Sequence, residues 1–299
     1  MKKRLRLSVL LSCAMLVQLA HAETGRHHSK SDKAIRASVL SHASSPKVRS
    51  NIALIFDKET ARAIYDKNST TVAPIASITK LMTAMVLLDA MLPLDEELSV
   101  EAADLDRVKG TRSRLQFGMK YTRNELLKLA LMASENRAAS ALARSYPGGK
   151  PAFVAAMNAK ASELGMLDTQ FLDPTGLSQG NVSTAQDLVK MVAAARNYDL
   201  IRRYTTSASH SVDGAGGREL RFSNTNPLVR SVSWDIGLSK TGYIHEAGLC
   251  LVMEAKIDQR SVIIVLLNSW GKRTRIGDAN RIKKWMESND VRARHARQS

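Results

Sequence analysis

The alternation of apolar and polar residues predicts a chain whose two ends form β-strands and whose middle is helical. Short apolar runs, each bounded by polar or glycine-containing turns, are typical of strands. Candidate strands occupy residues 51–56, 62–65, 235–243, 248–255 and 261–268. The first two flank a short polar turn and predict a β-hairpin.

Helical spacing dominates from about residue 122 to residue 204. Two capping boxes, in which Ser or Thr is followed three residues later by Glu or Gln, mark helix starts at Thr122 and Ser183. An earlier segment, 78–91, is apolar on all sides and predicts a buried helix. A last amphipathic helix is predicted from apolar residues near the C-terminus. They are Ile276, Ile282, Trp285 and Met286.

The order of strands, helices, strands and a last helix does not fit a simple repeat of alternating strands and helices. It predicts an α+β fold, in which an antiparallel sheet is formed by both chain ends and a helical subdomain lies beside it. The length of 299 residues suits one large domain or two small ones, and 44% hydrophobic residues can supply a packed core.

The first 22 residues predict a cleaved secretory signal peptide. Basic residues at positions 2, 3, 4 and 6 precede a mostly apolar run, and Ala20 and Ala22 stand where a signal peptidase reads small residues. A short membrane anchor is the alternative, but an apolar run of 14 residues is too short to span a bilayer comfortably. Cleavage predicts an exported protein.

Four parts are therefore expected along the chain. The segment after the signal peptide is rich in Ser, His, Lys and Arg and predicts a flexible basic leader. The parts are a signal peptide at 1–22, the leader at 23–49, a folded domain at 50–288 and a basic tail at 289–299.

The net charge of +16 falls to +12 once the four basic residues of the signal peptide are removed. The basic residues are dispersed and form no nucleic-acid-binding motif, so no nucleic-acid partner is expected. An exported basic protein is expected to meet an anionic wall polymer, or a membrane surface through peripheral contact. Cleavage also leaves Cys250 as the one cysteine, which is interpreted as core packing.

A serine and a lysine three residues apart share one face of a helix, so the lysine, when neutral, can take the serine proton. Burial beside other positive groups favours the neutral amine. The chain contains this pattern at Ser44–Lys47, Ser77–Lys80 and Ser269–Lys272. The first contains a proline and lies in the leader, and the last contains a glycine and predicts a turn. Only Ser77 opens the buried helix, although alone it could be an N-cap.

Two further motifs raise the weight of Ser77 and Lys80. Ser134 and Asn136 form the one Ser-x-Asn of the chain, and residues 240–242 its one Lys-Thr-Gly. Ser134 follows Ser77 by 57 residues (134 − 77), and Lys240 follows Ser134 by 106 (240 − 134). Each motif has a plain structural interpretation, as a turn or a strand end. Their common order matches the set of penicillin-binding proteins and serine β-lactamases.

With these motifs, the sequence resembles the D-alanyl-D-alanine peptidases among the low-molecular-mass penicillin-binding proteins, serine peptidase family S11. The resemblance runs from about residue 51 to residue 285. It is carried by residues 74–83, 134–138, 173–177, 183–185 and 238–243. Within the family, residues 110–114 and 239–248 are most similar to the endopeptidase branch, of the penicillin-binding protein 7 type.

The resemblance implies three catalytic residues. Ser77 is expected to be the acylated nucleophile and Lys80 its general base. Ser134 is expected to relay a proton towards the leaving amine. The family fold places such a site between the sheet and the helical subdomain, and the implied chemistry needs no cofactor and no metal.

Five further residues are implied in substrate binding. Asn136 is expected to hold the substrate amide, and Lys240 and Thr241 the terminal carboxylate or its surroundings. Gly242 would let the substrate backbone approach the strand. The N–H groups of Tyr243 and of the nucleophile would form the oxyanion hole.

The implied function is a periplasmic serine-type D-alanyl-D-alanine endopeptidase that hydrolyses peptide cross-links of peptidoglycan. Its partners would be stem peptides, and β-lactams would acylate it. The alternative is a carboxypeptidase that trims stem pentapeptides. A serine β-lactamase is disfavoured because no Glu-x-x-Leu-Asn stands between Ser134 and Lys240, so deacylation should be slow.

Three other classes remain as alternatives. A Ser-His-Asp hydrolase would need a histidine base, and His210 and His245 stay open as candidates, although neither lies in a motif typical of that class. A metallopeptidase lacks the second histidine of His-Glu-x-x-His at His245. A wall-binding protein without catalysis would not need both Ser77 and Lys80.

Overall fold

Strands from both ends of the chain form one five-stranded antiparallel sheet in the order β2-β1-β11-β10-β9. These strands are β1 (Ile52–Asp57), β2 (Arg62–Lys67), β9 (Asp235–Ile244), β10 (Gly248–Ile257) and β11 (Arg260–Ser269). The predicted hairpin and the three predicted C-terminal strands are confirmed. So is the α+β architecture, because the sheet contains both chain ends.

The computed structural model describes residues 45–298. The predicted signal peptide and most of the predicted leader therefore lie outside the described residues. Pro46–Met286 form one compact unit.

Seven α-helices are described. They are α1 (Lys80–Asp89), α2 (Arg123–Met132), α3 (Asn136–Arg144), α4 (Gly149–Glu163), α5 (Ala185–Ala195), α6 (Asp199–Thr205) and α7 (Thr274–Gln298). None of the helices among the described residues is both long and apolar enough to cross a membrane. α7 continues past residue 289, where the basic tail is predicted to begin.

The two faces of the sheet bury different neighbours, because successive side chains of a strand point to opposite faces. Leu54 and Ile263 belong to the larger core, which also contains buried residues of α1 to α6. Ala53 and Ile264 belong to a second core with Ile282 and other residues of α7. The helical subdomain therefore packs on one face and α7 on the other.

α1 is the predicted all-round apolar helix, and its residues from Lys80 to Leu87 are all buried. It ends at Asp89 rather than at residue 91, since Met91 has a positive φ of 49° and is 88% exposed. A short 3₁₀ turn, Ala76–Thr79, leads into the helix.

One capping box is confirmed and the other is wrong by one residue. The Thr122 hydroxyl accepts from the N–H of Glu125 at the start of α2, as predicted. At the start of α5, however, Thr184 is the cap and accepts from the N–H of Asp187. The predicted cap, Ser183, lies in a short strand instead, and its hydroxyl is within 2.7 Å of the Thr169 hydroxyl.

Six short strands interrupt the region between the two halves of the sheet, and the sequence did not predict them. They form three antiparallel pairs. The pairs are β3 (Ala73–Pro74) with β6 (Val182–Ser183), β4 (Glu97–Ser99) with β5 (Lys120–Thr122), and β7 (Ser209–Asp213) with β8 (Glu219–Ser223). They are too short and too polar to give a clear period-two pattern.

Candidate active site

Ser77 lies in the 3₁₀ turn between β3 and α1, on a backbone that is tightly constrained. Ala76, just before it, is fully buried with a positive φ of 48°, a conformation that costs a non-glycine residue energy. The Thr79 hydroxyl donates to the Ala76 carbonyl at 2.8 Å. Gly176 packs against the same carbonyl so closely that a Cβ there would lie 2.0 Å from it. Contacts on both sides therefore hold the turn that presents Ser77.

The Lys80 amine is 2.9 Å from the Ser77 hydroxyl, as the three-residue spacing predicts. It also donates to Asn136 Oδ1 at 2.7 Å and to the Thr175 carbonyl at 2.6 Å. Three acceptors match the three protons of an ammonium group. When one proton leaves, two N–H groups can stay on Asn136 and Thr175, and the lone pair then faces Ser77.

Burial lowers the pKa of Lys80 to about 8, and the carboxylates of Asp173, Glu135 and Asp106 oppose that effect. Lys80 is 1% exposed. At pH 7 a pKa of about 8 leaves about one lysine in ten neutral. The lowered pKa of Lys80 agrees with a general base, and at pH 7 most Lys80 amines still carry a positive charge.

A second serine and lysine meet opposite the first pair. Ser134 lies between α2 and α3 with a positive φ of 60°, and its hydroxyl accepts from Lys240 at 2.9 Å. Lys240, on β9, is 1% exposed and also donates to the Thr241 carbonyl at 2.8 Å. Burial, and then the charges of Lys80 and Arg275, hold the pKa of Lys240 well below its ordinary value.

Asn136 connects the two pairs, since it begins α3 two residues after Ser134. Its Oδ1 faces Lys80, and its Nδ2 donates to the Thr111 hydroxyl at 2.9 Å. The Thr241 hydroxyl donates to that of Thr225 at 2.6 Å. The structure thus brings the Ser-x-x-Lys, Ser-x-Asn and Lys-Thr-Gly motifs together.

β9 passes close to the turn that carries Ser77. A Cβ on Gly242 would lie 2.9 Å from both the Ile75 carbonyl and the Ser77 nitrogen, so only glycine fits without displacement. The backbone that approaches Gly242 closely is the chain's own turn that carries Ser77. Tyr243 follows on the strand and is 60% exposed.

The Thr175 carbonyl belongs to the loop at residues 173–177, one of the segments that carry the family resemblance. The Asp173 carboxylate accepts from the Thr175 N–H and hydroxyl, both at 2.5 Å, and from the N–H groups of Gly176 at 2.8 Å and Ser178 at 2.7 Å. A backbone acceptor has no residue-type signature. The Asp-Pro-Thr-Gly sequence is of a kind that favours turns, which agrees with this hydrogen bonding.

Arg275 of α7 supports β9 from the other face of the sheet. Its guanidinium donates to the carbonyls of Gly242 at 2.7 Å and Cys250 at 3.1 Å. Cys250 is fully buried, and burial raises the pKa of its thiol to about 11. These observations agree with the interpretation of Cys250 as core packing.

The Ser269–Lys272 pattern does not contribute to this site, and the Ser44–Lys47 pattern is not tested. Ser44 lies outside the described residues. Ser269 ends β11, is 1% exposed, and has its hydroxyl 2.7 Å from that of Ser50. Among residues 45–289, no three His, Cys, Asp or Glu side chains converge as a metal site would require.

The two segments that favour the endopeptidase branch are joined in space. Lys109, next to the 110–114 segment, forms an ion pair with Glu246 in the turn between β9 and β10. Both side chains are about 30% exposed, so the pair lies at the surface. It links the loop before β5 with the hairpin that carries the Lys-Thr-Gly motif.

Known proteins are similar in sequence to this chain over most of its length. Residues 40–271 match the peptidase S11 family, described as D-alanyl-D-alanine carboxypeptidase. A D-alanyl-D-alanine endopeptidase of Pseudomonas aeruginosa is 47% identical over 245 residues, 82% of this chain and 79% of the relative. Another of the same name, from Escherichia coli, is 47% identical over 250 residues, 83% of this chain and 81% of the relative.

Solved structures share the fold. The DD-transpeptidase of Streptomyces K15 superposes with a TM-score of 0.74 at 29% identity, covering 81% of this chain and 98% of that chain. A D-alanyl-D-alanine carboxypeptidase of Mycobacterium tuberculosis gives a TM-score of 0.73 at 26% identity, covering 83% and 94%. The predicted fold class is confirmed.

Proposed function

This chain belongs to the peptidase S11 family of serine D-alanyl-D-alanine peptidases, and from that premise we propose that it is an endopeptidase that hydrolyses peptide cross-links of peptidoglycan. One geometric observation supports the chemistry most directly: the contact between the Ser77 hydroxyl and a buried Lys80 amine at 2.9 Å. The preference for cross-links rests on the 47% identity with two proteins named endopeptidases.

In the proposed first step, Ser77 Oγ attacks the carbonyl carbon of a D-alanine and its proton passes to neutral Lys80. A carbon–oxygen bond forms, and the carbonyl electrons move onto oxygen. The N–H groups of Ser77 and Tyr243 would stabilise this oxyanion. The constrained turn around Ala76 keeps the nucleophile and its N–H fixed relative to β9.

The tetrahedral intermediate then collapses, and the carbon–nitrogen bond breaks. The Ser134 hydroxyl accepts from Lys240, so its own O–H can donate to the leaving nitrogen while it takes a proton from Lys80. The products are a free amine and an ester on Ser77. Water next attacks the ester with Lys80 again as base, which releases the carboxylate and restores the Ser77 hydroxyl.

Substrate binding falls to residues that surround this pair. We assign the substrate amide to Asn136, whose second amide N–H is free of the Thr111 contact. Lys240 and Thr241 would hold a carboxylate, which would supply the negative charge that a buried lysine lacks. Gly242 brings β9 within reach of Ser77, and Tyr243 offers an exposed ring beside it.

Penicillin is expected to acylate Ser77 through the same first step. No Glu-x-x-Leu-Asn stands between Ser134 and Lys240 to activate a deacylating water, so the adduct should persist for minutes or longer. We therefore disfavour a β-lactamase. The carboxypeptidase alternative is kept because the matching family is described by that activity.

The test is chromatography of muropeptides after purified sacculi are incubated with the enzyme. Loss of cross-linked dimers with release of monomers, blocked by penicillin and absent with Ser77→Ala, is the expected result. Dimers that survive while pentapeptides shorten to tetrapeptides would identify a carboxypeptidase. No change of either kind in folded, penicillin-binding protein would contradict both assignments.

We further propose that the protein is exported to the periplasm after cleavage before residue 23. The support is the basic and apolar pattern of residues 1–22. The remaining charge of +12 would hold the enzyme on an anionic sacculus, with peripheral membrane contact as the alternative. Mass measurement of the periplasmic protein tests the cleavage point.

A further inference from the structure

The segment at residues 106–111 is organised around one carboxylate that the proposed reaction does not use. Asp106 Oδ1 accepts from the N–H groups of Val108 at 2.8 Å and Lys109 at 2.9 Å. Its Oδ2 accepts from the N–H of Thr111 at 2.8 Å and from the Thr111 hydroxyl at 2.6 Å. Asp106 thus folds the loop onto itself and directs the Thr111 hydroxyl.

The direction of these hydrogen bonds is fixed from one residue to the next. A threonine hydroxyl has a single proton, and that of Thr111 is given to Asp106. Its oxygen can then only accept from Asn136, which must present its Nδ2, at 2.9 Å. The Oδ1 of Asn136 consequently faces Lys80, at 2.7 Å.

The opposite orientation of the Asn136 amide is unfavourable at both ends. It would place the carbonyl oxygen against an oxygen of Thr111 whose proton is already committed. It would also place an NH₂ group against the Lys80 amine, donor against donor. Asp106 thereby selects one of two amide orientations that sterics alone would accept.

We propose that Asp106 and Thr111 are positioning residues, which fix the Asn136 amide and, through it, direct the lone pair of Lys80 towards Ser77. This inference rests on the proposed function, in which Lys80 is the base. It gives a role to Thr111 of the 110–114 segment, which the sequence resemblance singled out without assigning any. It also leaves the second Asn136 N–H for the substrate.

The lowered pKa of Asp106 agrees with this direction of the hydrogen bonds. Burial works against the ionised form of Asp106, but hydrogen bonds from Thr111, Lys109 and Val108 outweigh it and lower its pKa. Asp106 therefore stays an acceptor at neutral pH. Around Lys80, the carboxylates are Asp106, Asp173 and Glu135.

Lys240 on β9 is the cation opposite Lys80, and the charge of Lys80 contributes to its lowered pKa. The acylation rate should follow the neutral form of Lys80. A change that presents donors to the Lys80 ammonium, or removes a nearby negative charge, should therefore move the pH inflection of acylation downward.

The test uses the full chain, the second-order rate constant for labelling by fluorescent penicillin, and its pH profile. Thr111→Val keeps the shape but removes the acceptor, so the amide is free to turn. We expect about a 10- to 100-fold lower plateau, typical of losing one or two oriented hydrogen bonds, and an inflection at lower pH. Thr111→Ser restores the hydroxyl and should return both values close to wild type.

Asp106→Asn should behave like Thr111→Val, because its side chain can donate to Thr111 and reverse the sequence of hydrogen bonds. It also serves as the test if Thr111→Val fails to fold. Thr122→Val is the matched control. The Thr122 hydroxyl likewise donates to a carboxylate, that of Glu125 at 2.8 Å, but it caps a helix outside the site. It should lower the Tm and leave the rate constant of the folded protein unchanged.

The proposal is overturned if folded Thr111→Val is labelled at the wild-type rate with an unshifted inflection. A lower rate that Thr111→Ser does not rescue would also overturn it, since that result indicates only a disturbed loop. Failure of the wild-type protein to label at all would instead contradict the proposed function.

Discussion

The site contains two serine–lysine pairs with the same contact distance and different surroundings. Ser77 and Lys80 lie three residues apart, and Ser134 and Lys240 lie on different elements, yet both hydroxyl–amine distances are 2.9 Å. Both lysines are 1% exposed. The two pairs are alike in contact distance and in exposure, so we propose that their neighbours determine which lysine acts as a base.

Lys80 has three acceptors and three carboxylates around it, whereas Lys240 has two acceptors and the cations Lys80 and Arg275. The first environment keeps the lysine pKa near the working range of a base. The second lacks negative charge, which an anionic ligand would supply. We therefore infer that a serine–lysine pair can serve proton transfer or ligand binding according to the charges that surround it.

Removing the hydroxyl of each serine in turn gives the largest expected effect and tests the comparison most directly. Ser77→Ala should abolish penicillin labelling, because the attacking oxygen is gone. Ser134→Ala should slow labelling and still permit it. The measurement is gel fluorescence with mass spectrometry of the adduct, and Ser269→Ala, in another Ser-x-x-Lys, is the control that keeps its label. Label retained by Ser77→Ala and lost in Ser134→Ala would reverse the assignment.

Arginine at each lysine position separates base from cation. Lys80→Arg keeps the charge but cannot supply a neutral amine, so acylation should fall by about 10²–10⁴-fold, the range of general-base catalysis. Lys240→Arg still offers a cation and should cost about tenfold, roughly one hydrogen bond. Stopped-flow labelling measures both, with circular dichroism to check the fold. Equal losses would remove the distinction between the pairs.

The pH dependence of acylation sharpens the comparison without any substitution at Lys80. Acylation needs neutral Lys80, so its rate should rise about tenfold per pH unit below pH 8 and level off above it, following a pKa of about 8. The same inflection should persist in Lys240→Arg, since it belongs to Lys80. A wild-type rate that is flat between about pH 6 and about pH 9 would show that Lys80 does not titrate in this step.

The parts of the molecule with local periodicity could be predicted from the sequence. The long strands β10 and β11 contain continuous apolar runs. The three-residue spacing of Ser77 and Lys80 already implies one helix face. Ser134 and Lys240 could be joined to them only through a family resemblance. No local rule brings together two residues whose contact depends on the whole fold.

The rest could not be predicted because its signals are not carried by residue type. The acceptor from Thr175 is a backbone carbonyl, and every residue has one. Asp106 and Thr111 act through the shape of a loop, where hydrogen-bond direction matters more than spacing. The predicted cap at Ser183 was wrong because Ser183 lies in β6, where its hydroxyl contacts that of Thr169. Thr184 caps the helix instead.

The pairing of β1 with β11 determines how much of a newly made chain is needed to complete the sheet. Ile52 lies opposite Leu267, so the centre of the sheet joins the beginning of the domain to its end. Contacts this distant in sequence form late and slowly, because a long loop must close before they can stabilise anything. β9, which carries Lys240 beside Ser77, is held in that sheet through β10. A newly made chain is therefore expected to assemble the candidate site only after β11, which ends at Ser269, has joined the sheet.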